Sequence, residues 1–140
     1  MITFKITGSD VVTNQIRNAQ KVYQNTLRAA TRTAGLLVEK QAKINCPVKS
    51  GDLRRSIHSR DSKKGNTYIA EIGPDESTEK YAIAVEMGHS QTPGRYVPAL
   101  GKRLVASFVQ GKWYMARTAL QTEQKVKDII KDAFKITYGL

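Results

Sequence analysis

The chain has 140 residues, of which 40% are hydrophobic and 25% charged, a composition typical of a soluble globular protein and too apolar for a disordered one. No apolar run reaches the roughly 18–20 residues that a membrane-spanning helix needs, and the N-terminus lacks a secretory signal pattern. The length suits a single domain over residues 1–140 that folds without disulfides or metals. Because Cys46 is the only cysteine, no internal disulfide can form, and we expect synthesis in the cytoplasm.

The net charge of +11 is concentrated in the first half of the chain. Residues 1–64 carry 13 basic and 4 acidic side chains, whereas residues 65–140 carry 10 and 8. A basic half is typical of proteins that contact a polyanion or an acidic protein surface, although it can also serve solubility alone. The tyrosines are scattered and do not form the stacking platform of single-strand binding proteins. The charge therefore leaves the partner open.

The first predicted element is a strand in which Ile2, Phe4 and Ile6 alternate with polar residues. A long amphipathic helix follows and ends near Asn45, because Pro47 disfavours helical geometry in the residue before it. Its apolar or small residues recur every three or four positions: Val12, Ile16, Ala19, Tyr23, Leu27, Ala30, Ala34, Leu37 and Ile44.

The predicted length of this helix has a consequence for assembly. About 35 residues span roughly 52 Å, whereas a compact domain of this size is roughly 37 Å across. The helix must therefore bend, break near Gly35, or extend past its own domain onto a neighbour. The third option predicts assembly, with Leu27, Ala30, Ala34 and Leu37 as candidate interface residues.

The rest of the chain predicts short elements and a second long helix. A loop at residues 47–52 leads into one turn at 53–57, and residues 63–66 have the chemistry of a hairpin turn before a strand at 67–72. A short helix at 79–87 ends at Gly88. Residues 89–112 predict only one strand, at 104–109, and a second amphipathic helix follows at 113–134. The predicted fold is α+β, a small mainly antiparallel sheet packed against a long N-terminal helix and a C-terminal helix.

The sequence offers no recognisable catalytic, cofactor-binding or metal-binding set. His58 and His89 are far apart, and with Cys46 they are too few for a zinc site. A pairing of Cys46 with a histidine is conceivable, but a small apolar filler explains the cysteine more simply. Glu79 and Glu86 share a helix face and could bind magnesium for nuclease chemistry, although solvated surface charge explains them more simply. We expect no enzymatic activity, no cofactor and no small-molecule substrate.

Two segments resemble signatures of a known family. Residues 46–57, CPVKSGDLRRSI, and residues 81–89, YAIAVEMGH, are similar to the two signatures of the tail-completion, or head–tail joining, proteins of lambdoid-type long-tailed phages and prophages. The family's order of elements fits residues 9–136. Residues 94–111 are an insertion relative to its shortest members, and Lys49, Ser50 and Thr118 depart from its common residues. The matching signature positions are Pro47, Gly51, Leu53, Arg54, Ser56, Ile57, Tyr81, Glu86 and Gly88.

These signature positions have architectural explanations. Pro47 ends the long helix, and Gly51 permits a tight turn with positive φ. Leu53 and Ile57 are four residues apart and can fill one core site. Glu86 lies near a helix C-terminus, where a carboxylate is unfavourable, so we expect a cationic partner, Arg54 or Arg55.

The resemblance implies a structural protein of the virion, assembled in the host cytoplasm and located at the head–tail junction, or neck. It implies a homo-oligomeric ring, six-fold to match the tail tube, with neck or head-completion, tail-terminator and tail-tube proteins as partners and DNA passing through the channel. No membrane is involved in this reading. The alternatives are a tail-terminator role, a basic nucleic-acid-binding module, and a small nuclease or toxin.

Overall fold

The structure is a computed structural model that describes residues 9–139. The strand predicted at Ile2, Phe4 and Ile6 lies outside the described residues. In chain order the elements are α1 (Ser9–Asn45), α2 (Asp52–Ser56), β1 (His58–Lys64), β2 (Thr67–Gly73), α3 (Glu76–Met87), β3 (Gly88–Ser90), β4 (Tyr96–Val97), a 3₁₀ turn (Pro98–Leu100), β5 (Lys102–Arg103), β6 (Phe108–Gln110) and α4 (Tyr114–Tyr138). The predicted α+β class is confirmed.

Helix α1 is continuous over 37 residues, about 55 Å, so the break considered at Gly35 does not occur. Gly35 instead lies where the β1–β2 hairpin packs against α1. A Cβ placed on Gly35 would stand 2.5 Å from the Ser59 Oγ and 2.9 Å from the Ala70 Cβ. The missing side chain therefore lets a strand approach the helix closely, and the helix does not kink.

Helices α1 and α4 pack antiparallel. Near the end of α1, Asn45 Nδ2 donates to Thr118 Oγ1 at 2.9 Å, and toward its beginning the hydroxyls of Thr26 and Thr137 lie 3.1 Å apart. The rings of Tyr23 and Phe134 are 5.4 Å apart between centroids. Helix α4 thus ends close to the level of Tyr23, and the preceding part of α1 continues past it.

The main core lies at the C-terminal end of α1, where α2, α3 and the start of α4 meet it. We call this region the joint. Ile72, Val85 and Met115 pack around it, and its buried residues are Ala42, Cys46, Leu53, Ile57, Ala82 and Tyr114. The joint therefore connects residues from both signature segments to the first and last helices.

The strands of residues 9–139 form three separate two-stranded antiparallel sheets. In the first, β1 and β2 pair from His58 opposite Gly73 to Lys64 opposite Thr67, as a simple hairpin. In the other two, β3 pairs with β6 and β4 pairs with β5. The strand predicted at residues 104–109 is thus only partly right, because β5 ends at Arg103 and β6 begins at Phe108. We call residues 88–111, which contain these two small sheets, the arm.

Candidate functional site

The first signature, residues 46–57, contributes buried side chains to the joint. Leu53, Ser56 and Ile57 are buried, and Ile57 has no exposed surface. Ser56 Oγ donates to the Leu53 carbonyl at 2.8 Å and accepts a hydrogen bond from Thr78 Oγ1 at 2.7 Å. The serine therefore links the end of α2 to the first turn of α3 without leaving its own hydroxyl unsatisfied.

The turn before α2 requires a glycine, as predicted. Gly51 has φ +86, and its carbonyl accepts from the Arg55 amide at 3.0 Å. Arg55 pairs with Asp52, and hydrogen bonds from Ser50 and Arg55 lower the pKa of the Asp52 carboxyl. Pro47 and Arg54 are exposed beside this turn, so the turn also presents a surface.

The cationic partner predicted for Glu86 is wrong. Its Oε2 accepts from the Met115 amide at 3.0 Å and its Oε1 from the Ala116 amide at 2.9 Å, while its carbonyl accepts from the Trp113 amide at 3.1 Å. The first amides of a helix have no partner within the helix, and a carboxylate there also stabilises the helix dipole. Glu86 thus satisfies the N-terminus of α4. A sequence pattern within α3 could not reveal an acceptor role for a helix 29 residues away.

Two glycines close the base of the arm. Gly88 has φ +89, and a Cβ there would lie 2.3 Å from the Val109 carbonyl oxygen. A Cβ on Gly111 would lie 2.1 Å from the Glu86 carbonyl oxygen. Gly88 therefore ends α3, as predicted, and also allows the two sides of the arm to touch. Next to this base, an open apolar groove of about 380 Å³ is lined by residues that include Pro47, Tyr81 and Val109, which are exposed, and Val85, which is half-buried.

Within residues 9–139 no hydrogen bond or ion pair joins the histidine, cysteine and glutamate side chains considered as catalytic candidates. Burial raises the pKa of the Cys46 thiol, which donates to the Pro47 carbonyl at 3.5 Å. Burial, with Cys46 and Glu86 nearby, raises the pKa of Tyr114 to about 12. His58 is exposed, and its Nε2 lies 3.9 Å from Asp75 Oδ2. His89 is also exposed and lies in β3. Within residues 9–139 no group of histidine, cysteine and carboxylate side chains could hold a metal ion.

The predicted interface residues need a correction. Ala30 and Ala34 are only 3% and 6% exposed, because the chain itself covers them, and Leu27 and Leu37 are half-buried. The periodicity was real, but at Ala30 and Ala34 it marks the core. Residues 10–22, which we call the overhang, are all exposed. Its large apolar side chains are Val11, Val12, Ile16 and Val22.

A basic ridge runs along the outer side of α1. Arg17, Lys21, Arg28 and Arg32 are exposed, and their spacing places them within about 60° of one another around the helix. Val12 and Ile16 lie on the opposite side by the same geometry. None of the four cations pairs with a carboxylate in the described part of the chain. The sequence shows that the first half of the chain is positively charged. The alignment of these four cations becomes visible only once α1 is known to be a continuous helix.

The chain was compared with known protein families, curated proteins and solved structures. Residues 10–88 match the family described as "Bacteriophage HK97-gp10, putative tail-component". No curated protein and no solved structure matched the chain. The matched segment contains all but the first residue of α1, the first signature, α3 and all but the last residue of the second signature, and it ends where the arm begins. Among the described helices, none is both long and apolar enough to cross a membrane.

Proposed function

Since the chain belongs to the HK97-gp10-like family and is a structural component of a phage tail, we propose that it forms a ring at the head–tail junction. In this proposal the ring is six-fold, completes the tail and joins it to the DNA-filled head. Its neighbours would be neck or head-completion proteins on one side and tail-terminator or tail-tube proteins on the other. In this proposal the ring acts by assembly, without catalysis and without a cofactor.

The overhang is the observation that carries the ring proposal. Its 13 residues extend α1 by about 20 Å and expose a row of apolar side chains, among them Ile16 at 63%. In residues 9–139 the joint at the opposite end presents no such helix, so an overhang that docks on another copy there would contact a different kind of surface. A surface that docks against a different surface of the next copy makes a head-to-tail contact, and such contacts generate rings when the rotation closes. An overhang at one end and a different surface at the other is thus a shape that suits a ring subunit.

The ring is tested by placing a charge in the overhang. We expect Ile16→Asp to weaken self-association at least ten-fold in sedimentation while leaving the helical circular dichroism and the melting temperature unchanged. Leu120→Asp is the matched control, because Leu120 is an exposed apolar residue on α4, away from the overhang. Assembly of Ile16→Asp equal to that of the control would show that the overhang is not an interface.

The neck position is tested in the virus. A phage without this protein should accumulate DNA-filled heads and separate tails, visible by electron microscopy. Tails of abnormal length would instead favour the tail-terminator role. Joined, infectious particles of normal form would contradict both. Replacing His58 should leave infectivity unchanged, since it belongs to no catalytic set in residues 9–139. Loss of infectivity with a folded, incorporated protein would contradict the non-enzymatic proposal.

The basic ridge supports a contact with the DNA that passes through such a ring. Its four cations, which have no carboxylate partner in residues 9–139, extend over about 22 Å of the helix, on the side opposite the apolar row. When the apolar row faces a neighbour, the ridge is free to face the channel. Each phosphate contact contributes about 0.9 to the slope of log affinity against log salt concentration for duplex DNA.

Replacing Arg17, Lys21, Arg28 and Arg32 by glutamine should therefore reduce that slope by about 3 to 4. Fluorescence anisotropy with a short duplex measures it. Replacing Lys125, Lys127, Lys131 and Lys135, exposed on α4, is the matched control for net charge. Equal slopes in the two variants would mean that general charge, and not the ridge, attracts the DNA.

A further inference from the structure

The arm is an ordered projection with almost no cover. Of residues 89–110 only Gln91, Val97 and Leu104 are half-buried, and all the others are exposed. Hydrogen bonds nevertheless continue between its two sides beyond the strands. The Gln91 amide donates to the Ser107 carbonyl at 2.9 Å, and the Gly94 amide to the Leu104 carbonyl at 2.8 Å. The Arg103 side chain donates to the Gly94 carbonyl at 2.7 Å.

The exposed side chains of the arm are unusually apolar for a surface in water. Val105 is 90% exposed, and Tyr96, Leu100, Phe108 and Val109 are also exposed. A two-stranded ribbon is marginally stable by itself, and exposed apolar patches on a soluble protein mark interaction sites. The arm therefore has the character of a surface that another molecule covers.

The charge of the arm indicates the chemistry of that molecule. Residues 88–111 contain Arg95, Lys102 and Arg103 and no aspartate or glutamate. None of the three pairs with a carboxylate in residues 9–139. A second copy of this chain carries a net charge of +11 and so lacks the excess of carboxylates with which the arm cations would pair, whereas the proposed overhang contact of the ring uses apolar side chains. DNA is a poor match as well, since phosphates give the large apolar side chains nothing to pack against.

We propose that the arm docks into a different protein of the virion, at an apolar cleft bordered by carboxylates. Val105, Leu100 and Phe108 provide the apolar contact, and Arg95, Lys102 and Arg103 pair with the carboxylates at its rim. The closed base at Gly88 and Gly111 holds the arm in a fixed direction, which reduces the entropy lost on binding. The family match ends at residue 88, so the family does not assign this role. The docking is independent of the overhang and of the ring.

The proposal is tested by photo-crosslinking in cells that assemble the phage. The full chain carries p-benzoylphenylalanine at position 105, or at position 120 as the control, and mass spectrometry identifies the captured peptide. We expect position 105 to capture a peptide from another virion protein, with an excess of aspartate and glutamate nearby. Capture of a second copy of this chain, capture of DNA, or a yield no higher than at position 120 would overturn the proposal.

The charge requirement is tested in the same experiment. Arg95→Glu combined with Lys102→Glu should reduce the crosslink from position 105 at least ten-fold. Sedimentation and circular dichroism of this variant should be unchanged, because neither side chain contributes to the joint or the overhang. An unchanged crosslink would overturn the role of the cations. Since the ring is tested by Ile16→Asp, failure of one proposal leaves the other measurable.

Discussion

The two ends of α1 have the same apolar periodicity and opposite surroundings. At the C-terminal end, Ala42 and Cys46 are buried in the joint by α2, α3 and α4. At the N-terminal end, Val12 and Ile16 have the same spacing, but they stay exposed because no element of residues 9–139 covers them. A helical repeat thus tells which face of a helix is apolar, and only the surroundings tell whether that face stabilises the fold or is left for assembly.

The largest expected difference between the two ends concerns two isoleucines. Ile57→Ala in the joint should lower the free energy of unfolding by about 3 kcal/mol, because it removes buried methyl groups and leaves a cavity. Ile16→Ala in the overhang should change it by less than about 0.5 kcal/mol. Urea denaturation measures both. Similar losses would mean that the overhang is covered within the monomer and that the two ends do not differ.

Glu86 sharpens the comparison from the side of α4. Glu86→Gln keeps one carbonyl acceptor but loses the negative charge and the second acceptor at the helix N-terminus, so it should cost about 2 kcal/mol. Glu79→Gln, an exposed carboxylate of the same helix, is the control. Chemical denaturation compares the two variants. A loss no greater than in the control would show that the amides of Met115 and Ala116 find water just as readily.

Gly51 tests the turn that leads into the joint. At φ +86 a β-branched side chain is strained, so Gly51→Val should destabilise by about 1 kcal/mol or more. Gly73→Val is the control, since a Cβ there meets nothing within 4 Å and the backbone does not require glycine. Differential scanning calorimetry compares the melting temperatures. An unchanged value for Gly51→Val would contradict the positive φ.

The smallest change in the free energy of unfolding is expected for Glu39, which lies between the overhang and the joint on α1. Its carboxylate accepts from Lys43 and, at 2.8 Å, from the Ser59 amide, and mainly the Lys43 hydrogen bond lowers its pKa below the usual 4.5. A lowered pKa in the folded state means that the carboxylate stabilises the protein at neutral pH. That stabilisation is lost as the pH falls below about 4.5.

Glu39→Gln should therefore cost about 1 kcal/mol at pH 7, and the difference from the unchanged protein should shrink as the pH falls below about 4.5. Urea denaturation at several pH values follows it, with Glu123→Gln on α4 as an exposed control. A difference that stays constant with pH would indicate a loss of packing and not of charge.

Local patterns predicted the fold well where one element explains them. The period of α1, the turn at residues 65–66, Gly51 and Gly88 were all correct because spacing and backbone preference act over a few residues. Contacts between distant segments were the weak point. The acceptor role of Glu86 depends on α4, which the chain reaches only after the arm, and the cover over Ala30 and Ala34 depends on elements that pack on α1 from later in the chain.

The sequence predicted the arm least accurately, because its strands of two or three residues are too short to show an alternation of apolar and polar residues. Its ordered form depends on backbone pairing across up to 22 residues, for which no residue pattern exists. The clue available in the sequence was the lack of any carboxylate between residues 88 and 111 among several large apolar residues.

The contact between Glu86 and the first turn of α4 has a consequence for how this protein can change over evolution. Since the Glu86 carbonyl and the Trp113 amide are 3.1 Å apart, the chain leaves the body and returns to it at nearly the same point. The length of a loop between two fixed, adjacent ends costs little, about 0.6 kcal/mol for each doubling. Residues 89–110 can therefore be lengthened, shortened or exchanged while α3 and α4 stay in place. A protein built in this way can exchange its arm, and with it a binding partner, while the residues of its core stay the same.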